Sequence, residues 1–151
     1  MNIRRDDPNA PHVAPLLAFH LSELRAVMSG EFAFALDARG LSEPGVTFWT
    51  AWIDGALARF GALKRLDADH AEVKSMRADP VFVGRGVGRA LMDHIVAAAR
   101  ADGYARLSLE TGTAASHDAA VALYRNTGFV DCPPFADYRA SPHNRFMTLA
   151  L

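Results

Sequence analysis

Three alternating glycines near the middle of this 151-residue chain constrain its fold more than any other feature. A short apolar run, Val81-Phe82-Val83, leads into Gly84-Arg85-Gly86-Val87-Gly88, and a helical pattern follows at once. Glycine has no Cβ, so the backbone turns sharply there and approaches a ligand closely. The first N–H groups of a helix are unpaired and carry the positive end of its dipole. The pattern therefore predicts a phosphate-binding turn, to which Arg85 and Arg89 add positive charge.

Size, charge and cysteine content narrow the classes of function. A chain of 151 residues predicts one domain, residues 1–151. The net charge of −1 gives no attraction to nucleic acid or to an anionic membrane. The N-terminal residues do not resemble a signal peptide, and no apolar run approaches the ~20 residues of a membrane span. The single cysteine is typical of a reducing compartment. We expect a cytoplasmic protein with no nucleic-acid or membrane partner.

Hydrophobic periodicity predicts an alternating order of helices and strands. We expect helices at 11–28, 31–41, 86–101 and 117–126. We expect strands at 2–5, 46–53, 56–66, 71–78, 106–111, 129–132 and 145–151. After two helices and a meander, the order continues β-α-β-α-β-β. This order predicts a mixed fold of the α/β (α+β) class.

Turn residues fix several boundaries between these elements. Asp54-Gly55 predicts a two-residue type I′ hairpin, which needs positive φ at both positions. Gly103 predicts a left-handed cap after the long middle helix. Ser116 is the predicted N-cap of the next helix, and Gly128 is predicted to end it.

Two motifs together resemble the GNAT superfamily of acyl-CoA-dependent N-acyltransferases. The acetyl-CoA motif of that family, Arg/Gln-x-x-Gly-x-Gly/Ala, falls on Val83-Gly84-Arg85-Gly86-Val87-Gly88. The second motif, Asn-x-x-Ala-x-x-Leu-Tyr-x-x-x-Gly-Phe, falls on His117, Ala120, Leu123-Tyr124 and Gly128-Phe129. The match covers roughly residues 46–132. It departs from the family at Val83, which removes one polar side chain from the loop, and at His117, where asparagine is common.

The resemblance implies a fold and a co-substrate. The expected fold is a mixed, mostly antiparallel twisted sheet of about six to seven strands with about four helices. Acetyl-CoA is the implied co-substrate, with its pyrophosphate on the N–H groups of residues 84–89. The strand 71–78 is expected to splay from the strand ending at Thr111. Backbone groups near Met76 and Ala78 would then pair with the pantetheine arm, and the His117 imidazole would hydrogen-bond it.

Acetyl transfer to an amine needs a base for the amine and an acid for the leaving thiolate. Tyr124 is the predicted acid, because an ordinary phenol with a pKa of about 10 stays protonated near neutrality. Glu72 is the predicted base, with Lys74 and Met76 on the same strand face. Glu72 and Lys74 also fit a simple ion pair. Glu110 is the competing base.

The acceptor is expected to be a small molecule or amino-acid-like compound with a primary amine. For each polar residue near the predicted pocket, a surface or packing role is an alternative. These candidates are His20, Glu23, Trp49, His70, Glu110, Asp137 and Tyr138. No two of the six histidines have metal-ligand spacing, so we predict no metal. An exposed final strand would allow a homodimer.

Two other classes of protein remain alternatives at this point. A dinucleotide-binding domain also places glycines between a strand and a helix, but Gly-x-Gly-x-x-Gly fails from Gly84, whose last position is Arg89, and from Gly86, where it is Leu91. A non-catalytic acyl-CoA-binding or sensor module would keep the fold without turnover. The departures at Val83 and His117 keep this alternative open.

Overall fold

Seven strands form one mixed sheet in a computed structural model that describes residues 1–27 and 36–151. The strands are β1 (Asn2–Arg5), β2 (Val46–Ile53), β3 (Ala56–Arg65), β4 (His70–Ala78), β5 (Arg106–Gly112), β6 (Val130–Asp131) and β7 (Asn144–Ala150). Their order across the sheet is β1-β2-β3-β4-β5-β7-β6. The β4–β5 pair is parallel and the other described pairs are antiparallel. The predicted mixed, mostly antiparallel sheet is confirmed.

Four helices flank this sheet in the described part of the chain. They are α1 (Ala14–Val27), α2 (Ala38–Leu41), α3 (Val87–Ala101) and α4 (Asp118–Thr127). Short 3₁₀ turns precede the last two, at Pro80–Phe82 and Ala115–His117. Residues 31–35 of the second predicted helix, 31–41, and the predicted end of the first at Met28 lie outside the described residues, and α2 forms the last four positions of that second helix. None of the described helices is long and apolar enough to span a membrane.

The turns at glycine and aspartate lie where the sequence predicts them, but the N-cap of α4 does not. Asp54 and Gly55 have φ of 49° and 77°, which confirms the positive φ of the predicted hairpin turn. Gly103 and Gly128 are left-handed at the ends of α3 and α4. The prediction of Ser116 as N-cap is wrong. The chain makes a 3₁₀ turn first, so the N-cap position falls to a histidine whose side chain makes no capping bond.

The two faces of the sheet carry separate hydrophobic clusters. Helices α3 and α4 pack on one face against residues such as Leu63, Val73 and Leu107. Helix α1 packs on the opposite face, against Phe48 and Phe60. These faces alternate along each strand because successive side chains point to opposite sides. We call them the α3 face and the α1 face.

Strands β4 and β5 separate after a short region of pairing. Their parallel register runs from His70 to Glu72 on β4 and goes no further among the described pairs. A bulge lies in the unpaired half of β4, where two residues, Ser75 and Met76, face the single residue Gly61 on β3. Ser75 takes a positive φ of 56° there. The implied splay of these strands is confirmed.

The bulge reverses the side-chain alternation along β4. Met76 packs into the cluster on the α3 face, and a Cβ on Gly61 would collide with its sulfur. Glu72 and Lys74 lie on the α1 face, because they contact the segment that follows β6 rather than α3. The expectation that Met76 shares a face with these two residues is therefore wrong. Period-two reasoning fails where one extra residue enters the strand.

The final strand is covered and not exposed. Strand β7 lies between β5 and β6, with Val130 paired to Thr148 and Asp131 paired to Met147. The expectation of an exposed final strand is wrong at these positions, because the two-residue β6 pairs with it. The homodimer stays a prediction.

Candidate active site

A cleft of about 470 Å³ opens where β4 and β5 separate. It extends from the start of α3 to residues 20–24 of α1 and residues 119–124 of α4. Four buried side-chain atoms in the described ranges have no hydrogen-bond partner, and the residues of all four line this cleft. They are Arg59 Nε, Ser75 Oγ, Glu110 Oε2 and His117 Nδ1. Because buried polar groups are normally paired, this concentration points to a cleft shaped for a polar ligand.

The part of the cleft formed by Gly84, Gly86 and Gly88 is here called the glycine end. Gly84 and Gly86 have φ of 81° and 78°, and no atom lies within 4 Å of a Cβ built on either. Helix α3 begins at Val87 with no side-chain cap, so its first N–H groups are left to a ligand or to water. A helix start of this kind favours an anion.

Not all side chains of the glycine motif point into the cleft. Val83, Gly84, Gly86, Val87, Gly88 and Arg89 line the cleft. Arg85 does not line it, and its guanidinium lies 5.4 Å from the centre of the Phe82 ring. Arg89 forms an exposed ion pair with Asp93, one helical turn away, at 3.0 Å.

Arg59 is a cleft residue that sequence reasoning missed. It extends from β3 beneath the first turn of α3, where its Nη1 lies 2.9 Å from a Cβ built on Gly88. Glycine at position 88 therefore leaves room for this guanidinium. The available signal was a charged residue within the apolar run of β3, between Ala58 and Phe60.

Tyr124 lies on α4 and is buried against Phe129, with ring centres 6.0 Å apart. It also lines the cleft, as the resemblance implies. Burial raises the pKa of its phenol, and the nearby positive charges of Arg59 and Arg77 oppose that rise. The phenol is therefore protonated at neutral pH. Its hydroxyl is therefore a buried group of the cleft that carries its proton.

Glu72, Lys74, Tyr138 and Glu110 form what we call the carboxylate end. Lys74 Nζ lies 3.3 Å from Glu72 Oε2, and both side chains are more than nine-tenths buried. The Tyr138 hydroxyl donates to the same oxygen at 2.5 Å, and Lys74 donates to that hydroxyl at 2.8 Å. Glu72 is thus held as a paired carboxylate, as the ion-pair alternative predicts.

Glu110 has different surroundings, although it lies on the neighbouring strand. One of its carboxylate oxygens is buried with no partner. Burial raises the pKa of its carboxyl to about 7, with Lys74 opposing the shift and Glu72 reinforcing it. A carboxyl with this pKa exchanges protons readily near neutral pH.

His20, Arg77 and His117 complete the polar lining. The Arg77 Nε donates to His20 Nδ1 at 3.0 Å, which links β4 to α1. Burial lowers the pKa of His20 to about 3, so this ring is neutral. Burial also lowers the pKa of His117, whose ring lies over Gly112, 2.5 Å from a Cβ built there.

Three of the predicted acceptor residues lie outside the cleft. Trp49 is 2% exposed and faces α3, where its ring meets His94. His70 bonds Ser108 at 2.6 Å below the point where the strands separate. Asp137 is exposed on the segment between β6 and β7. By contrast, His20, Glu23, Glu110 and Tyr138 all line the cleft.

The predicted cofactor positions on β4 and at the start of α4 also line the cleft. Met76 and Ala78 lie on the half of β4 that is unpaired on the β5 side.

Within residues 1–27 and 36–151, no three histidine, cysteine or acidic side chains come together as metal ligands.

Comparisons with known proteins agree with this geometry. Residues 16–129 match the model of the acetyltransferase (GNAT) family. The chain is 46% identical to the uncharacterized N-acetyltransferase YedL of Escherichia coli (strain K12), over 99% of this chain and 94% of that protein. It is 42% identical to the uncharacterized N-acetyltransferase YsnE of Bacillus subtilis (strain 168), over 100% of both chains.

A solved structure supports the same conclusion. A Klebsiella pneumoniae protein named as an acyl-CoA N-acyltransferase superposes with a TM-score of 0.80 at 25% identity, covering 99% of this chain and 97% of that one. The fold, the glycine end and the family match therefore exclude the dinucleotide-binding alternative. The chain belongs to the GNAT family of acetyltransferases and is an N-acetyltransferase.

Proposed function

We propose that residues 1–151 act as one domain that transfers the acetyl group of acetyl-CoA directly to the primary amine of a small acceptor. One observation carries this proposal: a cleft between separated strands joins an uncapped helix start to a buried phenol and a carboxyl with a pKa near 7. Direct transfer needs both substrates bound together, and both ends of the cleft are open to one continuous space.

The residues present fit acetyl-CoA at the glycine end. The space beside Gly84 and Gly86 is what a closely approaching pyrophosphate needs. The unpaired N–H groups at the start of α3 would bind its oxygens, and Arg59 beneath Gly88 would add a positive charge. The buried, unpaired His117 Nδ1 would hydrogen-bond an amide group of pantetheine. When bound, acetyl-CoA supplies the activated thioester.

Tyr124 is the proposed general acid. Its raised pKa keeps the phenol protonated, whereas an ordinary thiol has a pKa of about 8.5. The phenol can therefore give its proton to the leaving thiolate only if the pKa of that thiol is also raised. Poor solvation of the thiolate would raise it. The buried surroundings of Tyr124 supply that condition. Arg59 and Arg77 would stabilise the negative charge left on the phenol oxygen.

Glu110 replaces Glu72 as the proposed general base. Glu72 is held by Lys74 and Tyr138, which occupy one of its oxygens and stabilise its charge. Glu110 has a buried oxygen without a partner and a pKa of about 7. This carboxylate would take the proton that the amine loses, and we assign Glu72 to holding Lys74 and Tyr138 in place.

The proposal is tested by binding and by turnover, measured separately. Calorimetry with acetyl-CoA and with CoA should give saturable binding, and a Gly86→Val variant should weaken it because φ is 78° at that position. Release of free thiol across a panel of small amines should identify the acceptor. Absence of CoA binding would exclude the cofactor assignment. Binding without thiol release for any amine would favour the sensor alternative.

A further inference from the structure

Arg77 occupies a special position that the bulge in β4 creates. The bulge turns Met76 to the α3 face, so that Arg77 lies on the α1 face of the sheet. There its Cζ lies 5.6 Å from the centre of the Phe19 ring, and its Nε donates to His20. The glycine end belongs to α3, on the other face. Arg77 is therefore on the side of the cleft away from the phosphate-binding turn.

His20 fixes the plane of this guanidinium. Its Nδ1 accepts from Arg77, so the ring hydrogen is assigned to Nε2. The ring is 5% exposed and meets Phe60 edge-on at 5.6 Å, which restricts its rotation. Because burial keeps His20 neutral, it orients Arg77 without competing for a negatively charged ligand.

The positive charge of Arg77 is not neutralised by contact. No carboxylate of the described residues forms an ion pair with it, and its two terminal nitrogens have no hydrogen-bond partner there. Glu23 is the acidic group that it senses at longer range. Of the other charges around it, Arg59 repels it and Lys74 is paired with Glu72. An oriented guanidinium whose two terminal nitrogens are both unused suits a carboxylate.

We propose that Arg77, oriented by His20, binds a carboxylate of the acceptor, so that the acceptor is a small amino acid bearing both an amine and a carboxylate. This assignment rests on the proposed function, because it places the amine at Glu110 and the acid group at Arg77, both of which line one cleft. Arg77 acts as a specificity residue and His20 as a positioning residue.

Matched acceptors test this proposal in the unaltered protein. Each amino acid of a panel is compared with its primary amide and with the amine that lacks the carboxylate. The acid should have the higher kcat/KM, by roughly tenfold to hundredfold, as expected for a charged hydrogen-bonded contact. Equal rates for acid, amide and amine would overturn the proposal.

Variants assign the preference to individual residues. Arg77→Met should remove the preference for the acid, so that acid and amide react with equal kcat/KM, and should leave acetyl-CoA affinity unchanged. Arg77→Lys should keep part of the preference, because lysine keeps the charge but lacks the fork. Arg100→Met, an exposed arginine at the end of α3, is the control. An effect of Arg77→Met on acetyl-CoA affinity alone would overturn the proposal.

The test of His20 must distinguish a role in orienting Arg77 from a role in folding, and KM and kcat for acid and amide acceptors do so. His20→Leu should raise KM for the acid with little change in kcat, and His20→Gln should restore it, because the amide oxygen can accept from Arg77 Nε. Equal losses with acid and amide acceptors would indicate a structural role and would overturn the assignment of His20.

Measuring acceptor binding without turnover tests the carboxylate site independently of the acetyl-transfer reaction. Free amino acids should raise the melting temperature of the CoA-saturated protein, whereas their amides should not. If this selectivity is seen without acetyl transfer, the proposed reaction fails and the carboxylate site stands. If acetyl transfer occurs without any selectivity for the acid, the carboxylate site fails and the reaction stands.

Discussion

The glycine end of the cleft consists mainly of backbone groups, whereas the carboxylate end consists of side chains from separate parts of the chain. At the glycine end, residues 84–88 form one continuous segment that enters α3. At the carboxylate end, Glu72, Glu110 and Tyr138 come from β4, from β5 and from the segment between β6 and β7. A backbone site depends on conformation, so we expect it to tolerate exchange of its side chains, such as valine for Arg or Gln at position 83. A side-chain site depends on charge and burial, so a single exchange alters its chemistry.

We expect the largest loss of activity from a change at Tyr124, which lines the cleft that contains both ends. Replacing Tyr124 with Phe removes the phenolic proton and keeps the ring that packs on Phe129. We expect kcat to fall by about a thousandfold, within the range of general acid catalysis, with acetyl-CoA affinity unchanged. Steady-state kinetics and calorimetry measure the two quantities. Tyr104→Phe, which follows α3 and does not line the cleft, is the control, and an unchanged kcat in Tyr124→Phe would remove the acid assignment.

The next effect distinguishes the two carboxylates at the carboxylate end. Because burial raises the pKa of Glu110 to about 7, its basic form is lost as the pH falls through 7, and kcat/KM should fall with it. Glu110→Gln should lower kcat/KM by about a hundredfold and abolish this acidic limb.

Glu72→Gln provides the comparison for that result. It should lower activity through the loss of its contacts with Lys74 and Tyr138, but it should keep the limb near pH 7. pH–rate profiles of both variants measure the difference. A limb that persists in Glu110→Gln and vanishes in Glu72→Gln would restore Glu72 as the base.

A smaller effect tests whether the glycine end depends on Arg59. A Cβ at position 88 would lie 2.9 Å from Arg59 Nη1, so Gly88→Ala should displace the guanidinium. Gly88→Ala and Arg59→Met should each weaken acetyl-CoA binding by roughly tenfold. In the double variant the losses should not add, because both changes remove the same interaction. Calorimetry on all four proteins measures the coupling, and additive losses would show that Arg59 acts independently of Gly88.

The smallest expected effect adds a side chain to the glycine end. Val83 is 65% exposed at the position where the family motif has Arg or Gln. Val83→Arg should strengthen acetyl-CoA binding by about twofold to fivefold, as expected for an exposed charge near a phosphate. The gain should disappear at high salt. A gain that is independent of salt would point to a packing effect instead of a charge effect.

Sequence patterns predicted those turns and helices whose geometry depends on residues adjacent in the chain. Asp54-Gly55 predicts its hairpin and Gly103 its helix end, because positive φ is a property of a single residue in its local context. The spacing of Leu123-Tyr124 and Gly128-Phe129 placed the phenol on α4 near the cleft. The Ser116 cap failed because a 3₁₀ turn precedes α4.

The properties that depend on distant residues were decided by tertiary structure alone. The bulge opposite Gly61 reverses the faces of Met76 and Arg77, and its place depends on pairing between two strands. The contact between Arg59 and Gly88 joins β3 to α3. The hydrogen-bond partners of Glu72 and the raised pKa of Glu110 follow from burial and from residues far along the chain. Backbone preference is short-ranged and can be read from sequence, whereas the environment of a charge is set by everything packed around it.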